Sequence, residues 1–355
     1  MTFRPSPMPL RVALVGYGTA GSVFHAPLIA ATLGLRLVAV VTANAERRQQ
    51  AERDHPGVLV VESAERLWER AADLDLVVVA SPNRTHVPLA TAALGAGLHV
   101  VVDKPLAPTA EEGRRLAEQA RRVERLLVPF HNRRWDGDFL TLRRLLLEGA
   151  LGRPLRFESR FERWRPTPKP GWREMGAPEE AGGALYDLGS HLIDQALVLF
   201  GPVRLVYAEL DRRRPGVEVD DDAFVALTHG SGVRSHLHMG AVAAQEGPRL
   251  RLLGDEGAFT KYGLDLQEAT LRAGVNPRRD DWGEEPAERW GMLGVGEEAR
   301  PVRSEPGAYP RFYAGVVDAI RLGAPPPVAP EDAVAGLAII EAARRSAAEK
   351  SVVEL

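Results

Sequence analysis

A lysine and a histidine flanked by carboxylates are the residues of this chain best placed to move protons. Lys104 stands just after the apolar run His99–Val102, separated from it only by Asp103, where partial removal from water would lower its pKa and let it exchange a proton with an alcohol. Asp187, His191 and Asp194 stand four and three residues apart, so on a helix they form one polar stripe. A carboxylate one turn from an imidazole would fix its tautomer and favour its protonated form.

The segment that carries this stripe is predicted to be a helix with one face in the core. Apolar residues between Leu185 and Phe200 recur at intervals of three and four, and Gly201-Pro202 would end the helix. Gly182-Gly183 precedes it and would let a ligand approach closely. The alternative is structural, because a helical Asp/His pair is often a simple ion pair and a lysine at a strand end often reaches into solvent.

The first third of the chain alternates apolar runs with amphipathic segments. The runs are apolar on both faces, as in a buried parallel sheet: Arg11–Gly16, Leu35–Thr42, Leu74–Ala80, Leu98–Asp103 and Arg125–Phe130. Segments of helical character lie between them, among them Ala45–Arg53, Thr85–Gly95 and Thr109–Arg122. This alternation predicts an α/β domain with a doubly wound parallel sheet, a Rossmann domain, over residues 1–129.

A different pattern follows Phe130. Strand-like runs are joined by short turns, which favours antiparallel pairing: Tyr207–Leu210, Ala223–Thr228, Val233–Met239 and Arg249–Leu253. We therefore expect a C-terminal α/β domain with a large open, mostly antiparallel sheet over residues 130–355. Helices are predicted at Tyr309–Leu322 and Pro330–Glu349, the last packing back on the first domain. The charged stretch Asn276–Arg303 is predicted to be a long loop near the substrate site.

The first apolar run leads into a GxGxxG loop, which is Gly16-Tyr17-Gly18-Thr19-Ala20-Gly21. Alone this motif is a weak signal, because glycine is common in turns. Here it stands between a strand and the helix-like segment Ser22–Leu33, so the glycines can turn tightly and the helix N-terminus can face a pyrophosphate. The loop therefore predicts a bound dinucleotide.

The end of the second apolar run favours NADP over NAD. Sites for NAD usually place an acidic residue there to hold the ribose 2′-hydroxyl, whereas this chain has the neutral Thr42. Asn44, Arg47 and Arg48 follow and can donate to a 2′-phosphate. The alternative is that the arginines only solvate an exposed helix, and Glu46 is the residue that argues for NAD.

Composition narrows the class of ligand. The 355 residues carry a formal net charge of -3, which gives no electrostatic reason to expect a nucleic acid or a membrane as partner. The absence of cysteine excludes thiolate nucleophiles, disulfides and cysteine zinc sites. No apolar stretch is long enough to span a membrane. We expect a cytoplasmic protein that binds a small molecule.

Three further groups of polar residues are given structural interpretations. His236 and His238 alternate on one strand face without a carboxylate nearby in sequence, so no metal site is predicted. Asp220–Asp222 is expected to cap a strand. Arg212–Arg214 is expected to be a solvated face.

These residues resemble the glucose-fructose oxidoreductase / inositol dehydrogenase / MocA (Gfo/Idh/MocA) family, from about Pro9 to Leu355. In that family the glycine loop is followed by Thr/Ser-Pro-Asn-x-x-His, here Ser81 to His86, then by Glu-Lys-Pro and a helix with Asp-x-x-x-His. Asp103 stands where the family mostly has Glu, a departure that could shift the contact with the cofactor ribose. Beyond the glycine loop, the implied cofactor contacts are Ser81, Pro82, Asn83, His86, Asp103 and Lys104.

The resemblance implies an NAD(P)-dependent oxidoreductase acting on CH–OH groups, with Lys104, Asp187 and His191 catalytic. His191 would be the acid/base on the substrate hydroxyl, Lys104 would polarise the reacting oxygen and Asp187 would orient the site. All three would also contact substrate.

Three strings resemble the NADP-dependent scyllo-inositol 2-dehydrogenase subgroup of that family, namely FHNRRWDGDFLTL from Phe130, Trp172-Arg173-Glu174, and KYGLDLQE from Lys261. The implied reaction is oxidation of a ring hydroxyl of a cyclic polyol or sugar, or reduction of the inosose. Polyol recognition needs donors and acceptors beside apolar walls. The further candidate substrate contacts are His131, Asn132, Arg133, Trp172, Arg173 and Tyr262.

Two rival functions share this fold. One is a non-catalytic dinucleotide-binding regulator, against which the intact Lys104, Asp187 and His191 argue. The other is an NAD-dependent glycosidase, which recycles its hydride and shows no net change in nucleotide absorbance. In each case an open sheet needs its outer face covered, which predicts a homodimer or homotetramer.

Overall fold

The computed structural model describes residues 8–168, 171 and 180–355, and two β-sheets organise this part of the chain. The first sheet is parallel throughout, in the order β3-β2-β1-β4-β5-β6. Its strands are β1 (Leu10–Val15), β2 (Leu35–Val41), β3 (Leu59–Val61), β4 (Leu76–Val79), β5 (His99–Asp103) and β6 (Leu127–Phe130). This is the strand order of a Rossmann fold, so the predicted doubly wound sheet is confirmed.

Helices cover this sheet, and its central strands are apolar because both faces are buried. All four residues of β4 are inaccessible to solvent. The helices are α1 (Ala26–Ala31), α2 (Ala45–Asp54), α3 (Ala64–Trp68), α4 (His86–Gly95) and α5 (Ala110–Arg122). α5 starts where the Thr109 hydroxyl accepts from the Glu112 backbone N–H at 3.2 Å, a typical N-cap.

The helix predicted after the glycine loop begins in a wider form than expected. Residues Ala20–His25 make a π-helical turn, and α1 continues from it. Such turns are rare and occur frequently at functional sites.

Nine strands of the described residues form the second sheet, in the order β14-β13-β12-β11-β7-β10-β9-β8-β15. Only β7 and β10 pair in parallel, which confirms the mostly antiparallel sheet. The strands are β7 (Pro154–Glu162), β8 (Val203–Asp211), β9 (Asp222–His229), β10 (Arg234–Gly240), β11 (Leu250–Gly254), β12 (Ala258–Lys261), β13 (Gly291–Gly294), β14 (Arg300–Val302) and β15 (Val353–Glu354). Burial alternates along β9, so one face is core and the other is half-exposed.

The prediction of a long loop at Asn276–Arg303 is wrong in two respects. The stretch contains β13 and β14, which extend one edge of the second sheet. None of its residues is among the described residues that line the main pocket. Strands of three or four residues among charges carry too little alternation to be recognised in the sequence.

The helices after β6 are α6 (Gly137–Leu147), α7 (Ser190–Phe200), α8 (Gln267–Arg272), α9 (Pro310–Leu322) and α10 (Pro330–Glu349). α10 contacts both β8 and α5, and its Glu341 accepts from the first N–H of α5, at Ala110, at 2.8 Å. The last helix therefore touches elements that belong to both sheets. No helix within the described ranges is long and apolar enough to cross a membrane.

Candidate active site

Two glycines of the loop are required by close backbone packing. Gly16 has φ +100°, and a Cβ there would lie 2.6 Å from the Ala80 carbonyl oxygen. A Cβ at Gly21 would lie 2.1 Å from the carbonyl oxygen of Gly16. Both contacts are far below van der Waals separation, so only glycine allows the strand to turn into the helix here.

Gly18 differs, because the protein leaves the space beside it open. The nearest atoms to a Cβ there belong to the Arg47 guanidinium, at 3.9 Å. A side chain at this position would fill space that the described residues do not use. This open space beside the N-terminal end of a helical turn fits a bound pyrophosphate, which needs close approach to the backbone.

Some of the residues after β2 bind other parts of the protein, and others are candidates for binding the cofactor. The Asn44 side-chain oxygen accepts from the Arg47 backbone N–H at 2.9 Å, capping α2, so this oxygen serves the helix. Arg48 pairs with Glu62 at 2.9 Å, so part of its donor capacity is already used within the protein. Thr42 is buried at the strand end. Arg47 makes no ion pair within the described part of the chain and lies over Gly18.

Side chains of the segment from Ser81 to His86 form hydrogen bonds with other residues of the protein. The Ser81 hydroxyl lies 2.6 Å from that of Thr85, and the Asn83 amide donates to the carbonyls of residues 180 and 181 at 3.1 and 3.2 Å. The fully buried His86 ring lies 2.8 and 2.9 Å from the carbonyls of Pro105 and Ser81. Ser81, Pro82, Asn83 and His86 are absent from the described lining of the main pocket. The structure thus gives the side chains of His86 and Asn83 partners within the protein, and their implied contact with the cofactor stays a prediction.

The main pocket has a volume of about 750 Å³ and lies between the glycine loop and the second sheet. Thr19 and Ala20 line one side, and Asp103 and Lys104 line it at the carboxyl end of β5. The turn before α7 and the start of α7 contribute Asp187, Leu188 and His191. The residues predicted to be catalytic are therefore brought together beside the glycine loop.

Lys104 and Asp187 form the ion pair at the centre of this pocket. Lys104 Nζ donates to Asp187 Oδ1 at 2.7 Å and to the Asp187 carbonyl oxygen at 2.6 Å. Asp187 lies in a π-helical turn, Leu185–Gly189, whose first N–H donates to Asp220 at 2.7 Å. A Cβ at Gly183 would lie 2.3 Å from Asp220 Oδ1, so this glycine makes room for Asp220. Asp220 thus caps the helix, which corrects the prediction that it caps a strand.

The pKa of His191 is lowered, contrary to the expectation that its neighbouring carboxylates would favour the protonated form. Burial, reinforced by the positive charges of Lys104 and Arg133, places the pKa of His191 well below its usual value of 6.5. The carboxylates are engaged elsewhere, because Asp187 pairs with Lys104 and Asp194 pairs with Arg134 at 2.6 Å. His191 is 7% exposed, and its Nδ1 is buried with no hydrogen-bond partner among the described residues.

His131 lies behind His191 and not in the pocket wall. Its ring meets that of His191 edge-on, with centroids 6.4 Å apart, and its Nδ1 lies 3.9 Å from Asp194 Oδ2. Burial lowers the pKa of His131 although Asp194 opposes the shift. The structure therefore makes His131 a support for His191 and does not bring it to the substrate space.

Asn132 and Arg133 do line the pocket, as predicted for substrate contacts. Arg133 donates to Glu268 at 2.8 Å and stacks over Phe161 at 4.7 Å. Tyr262 is 60% exposed and is not among the described residues of the pocket wall, so its implied contact with substrate stays a prediction. Trp172 and Arg173 lie outside the described residues.

Sequence reasoning missed three arginines of the pocket. Arg163 and Arg165 follow β7 at a spacing of two, which places both on one side of extended chain. Arg214 was expected to be solvated, yet it is 6% exposed, lines the pocket and pairs with Asp221 at 2.8 Å. The spacing of Arg163 and Arg165 after a strand was the available signal.

Two family models match the chain. The model described as the NAD-binding Rossmann fold of an oxidoreductase family (GFO_IDH_MocA) matches residues 10–131. The model described as the C-terminal alpha/beta domain of the same family matches residues 143–355. The two matched ranges correspond to the two sheets.

Similar proteins extend over nearly the full length. The chain is 42% identical to the uncharacterized oxidoreductase YdgJ of Escherichia coli (strain K12) over 344 residues, covering 96% of this chain and 97% of the relative. It is 37% identical to scyllo-inositol 2-dehydrogenase (NADP(+)) IolW of Bacillus subtilis (strain 168), covering 98% and 96%. A solved structure of a putative oxidoreductase, yvaA from Bacillus subtilis, superimposes with a TM-score of 0.93 at 37% identity, covering 99% and 100%.

Proposed function

The chain belongs to the Gfo/Idh/MocA family of oxidoreductases, and on that premise we propose that it is an NADP(H)-dependent dehydrogenase of a cyclic polyol or sugar, with scyllo-inositol and its inosose as the substrate pair. The proposal rests on the arrangement of residues in one wall of the main pocket. The Lys104–Asp187 ion pair and the neutral His191 stand together there, beside a glycine loop with open space at Gly18. The name of the similar protein IolW supports this substrate pair.

The roles of the chain's own residues follow from their contacts. When bound, a nicotinamide dinucleotide supplies or accepts the hydride. Lys104 Nζ, held by Asp187, binds the reacting oxygen and stabilises the negative charge that develops on it. His191 is neutral and so can take the proton of the hydroxyl during oxidation and return it during reduction. Because its Nδ1 is buried, the exchange uses Nε2.

The preference for NADP rests on two residues. Thr42 places no negative charge at the end of β2, and the Arg47 guanidinium lies over Gly18 without an ion pair among the described residues. A guanidinium with free donors suits a 2′-phosphate, which it can bind through two parallel hydrogen bonds.

We also assign residues 1–129 to the dinucleotide-binding domain and residues 130–355 to the substrate-binding and oligomerisation domain. The half-exposed outer face of the second sheet, where Phe224 packs against His236 and His238, supports a homodimer or homotetramer. The protein is expected to act in the cytoplasm on a free small molecule.

The test is an absorbance assay of NADPH formation with scyllo-inositol, myo-inositol, glucose and related polyols, each with NADP+ and with NAD+. Net reduction of NADP+ by a cyclic polyol supports the proposal. Nucleotide binding without reduction by any substrate would identify a regulator instead. Glycoside cleavage without net reduction would identify the glycosidase. A higher kcat/KM with NAD+ would overturn the cofactor assignment alone.

A further inference from the structure

His25 occupies the buried side of the turn that follows the glycine loop. The turn Ala20–His25 presents Ala20 and Phe24 to the main pocket, while His25 is 0% exposed. The imidazole packs on the ring of Phe130, with centroids 4.2 Å apart. A polar ring so deeply buried needs partners, because unpaired buried nitrogen atoms are costly.

One partner of His25 is Tyr313 in α9. The Tyr313 hydroxyl lies 2.7 Å from His25 Nδ1. Burial, aided by the charge of Asp103, raises the pKa of Tyr313 well above its usual value, so the hydroxyl keeps its proton and can donate it. When Nδ1 accepts this hydrogen bond, the ring N–H is on Nε2.

The other nitrogen of His25 faces the residue before the site lysine. Nε2 lies 3.9 Å from Asp103 Oδ1 and has no hydrogen-bond partner among the described residues. Oδ1 of Asp103 accepts the backbone N–H of Lys104 at 2.9 Å. Burial would raise the pKa of Asp103, but His25 and Lys104 outweigh it and hold that pKa below its usual value. Asp103 is therefore an anion placed between His25 and the Lys104 backbone.

We infer that His25 is a positioning residue, which holds Asp103 through the line Tyr313–His25–Asp103 and so keeps the Lys104 ammonium beside Asp187. Since His25 ends the turn that carries pocket residues Ala20 and Phe24, the same contact couples occupancy of the dinucleotide loop to the placement of Lys104. The inference rests on the role proposed for Lys104. The alternative is that His25 only fills space in the core.

Two substitutions of His25 distinguish a positioning role from a role in filling space in the core. His25→Leu keeps a buried side chain but has no polar atom, whereas the amide of His25→Gln can still donate toward Asp103. We expect His25→Leu to lower kcat with the best polyol by about 10- to 100-fold with little change in KM for the polyol, since small misplacements of reacting groups have effects of this size. His25→Gln recovers part of the loss. Val23→Ala, in the same turn, is the packing control and keeps kcat near that of the wild type.

Binding and coupling measurements complete the test. A fluorescence titration with NADPH should give a weaker Kd for His25→Leu than for Val23→Ala. If His25 acts through Asp103, His25→Leu combined with Asp103→Asn loses about as much kcat as the worse single variant, and not the product of both losses. Tyr313→Phe, which removes only the hydroxyl, should lower kcat in the same direction.

Unchanged kcat and NADPH affinity in folded His25→Leu, or multiplicative losses in the double variant, would overturn the inference. If His25→Leu does not fold, Tyr313→Phe decides, and an unchanged kcat there overturns it equally. Lys104→Ala, measured in the same assay, distinguishes a failure of the proposed function from a failure of the role inferred for His25. Full turnover of Lys104→Ala refutes the proposed function, whereas an inactive Lys104→Ala beside a fully active His25→Leu refutes only the role of His25.

Discussion

Lys104 Nζ holds both the carboxylate and the backbone carbonyl of Asp187, at 2.7 and 2.6 Å, although the two residues come from the two differently built halves of the chain. The lysine follows β5 of the parallel sheet, and the aspartate lies in the turn before α7. The pair therefore joins the parallel-sheet side of the pocket to the side formed by the turn before α7.

Removal of either partner should weaken turnover more than folding. We expect Lys104→Met to lower kcat/KM for the best polyol by about 10²- to 10³-fold, the range typical of a lost donor to a developing oxyanion. Asp187→Asn should cost less, because the ammonium remains. Steady-state kinetics and thermal unfolding of both variants, with Lys104→Arg as the charge-conserving control, check this. Equal kcat/KM in Lys104→Met and wild type would contradict it.

The lowered pKa of His191 sets the pH dependence that we expect for the proposed polyol oxidation. A base must be unprotonated to accept a proton, so kcat/KM rises with pH through the pKa of His191. Burial and the charge of Lys104 place that pKa well below 6.5. We therefore expect no fall in kcat/KM through His191 protonation between about pH 6 and 8, and a fall only in more acidic solution. A full pH profile tests this, with His191→Gln as the variant that loses the acidic limb. An acidic limb of the wild type centred above 6.5 would show that the histidine is charged at neutral pH.

Arg47 and Arg48 should differ sharply in their effect on cofactor use. Arg47→Ala removes the guanidinium over Gly18 and should raise KM for NADP by about 10- to 100-fold, the worth of charge-assisted hydrogen bonds, while KM for NAD changes little. Arg48→Ala is the matched control, because Arg48 pairs with Glu62. Identical KM values for NADP in the two variants would refute the assignment of Arg47.

Two glycines of the loop should respond differently to the same added methyl group. Gly18→Ala meets no atom closer than 3.9 Å, so the variant should fold with near wild-type stability but bind NADPH weakly. Gly21→Ala would place Cβ 2.1 Å from the Gly16 carbonyl oxygen and should lower the free energy of unfolding by about 1–3 kcal/mol or more. Urea denaturation and NADPH titration of both variants distinguish the roles. Normal NADPH binding by Gly18→Ala would argue against a pyrophosphate at this loop.

Helices and strands could be predicted from local patterns of apolar residues, whereas the contacts that side chains make with distant elements could not. The strand run Leu35–Thr42 was recognisable because it is continuously apolar, and the helix after Leu185 because its apolar residues recur at intervals of three and four. The stripe of Asp187, His191 and Asp194 was also correctly placed on a helical segment, but the cations that bind its carboxylates come from distant parts of the chain. Burial and the charge of Lys104 thus lower the pKa of His191, whereas its sequence neighbours were expected to raise it.

The position of α10 has a consequence for how the molecule is made. This helix contacts α5 and β8, caps the N-terminus of α5 through Glu341, and supplies Asp332 to Arg134 at 3.0 Å. During synthesis, α10 leaves the ribosome after nearly all of the residues that this helix contacts. During synthesis the parallel sheet can therefore collapse early, whereas the charge network that supports the histidines beside the pocket is completed only when α10 arrives.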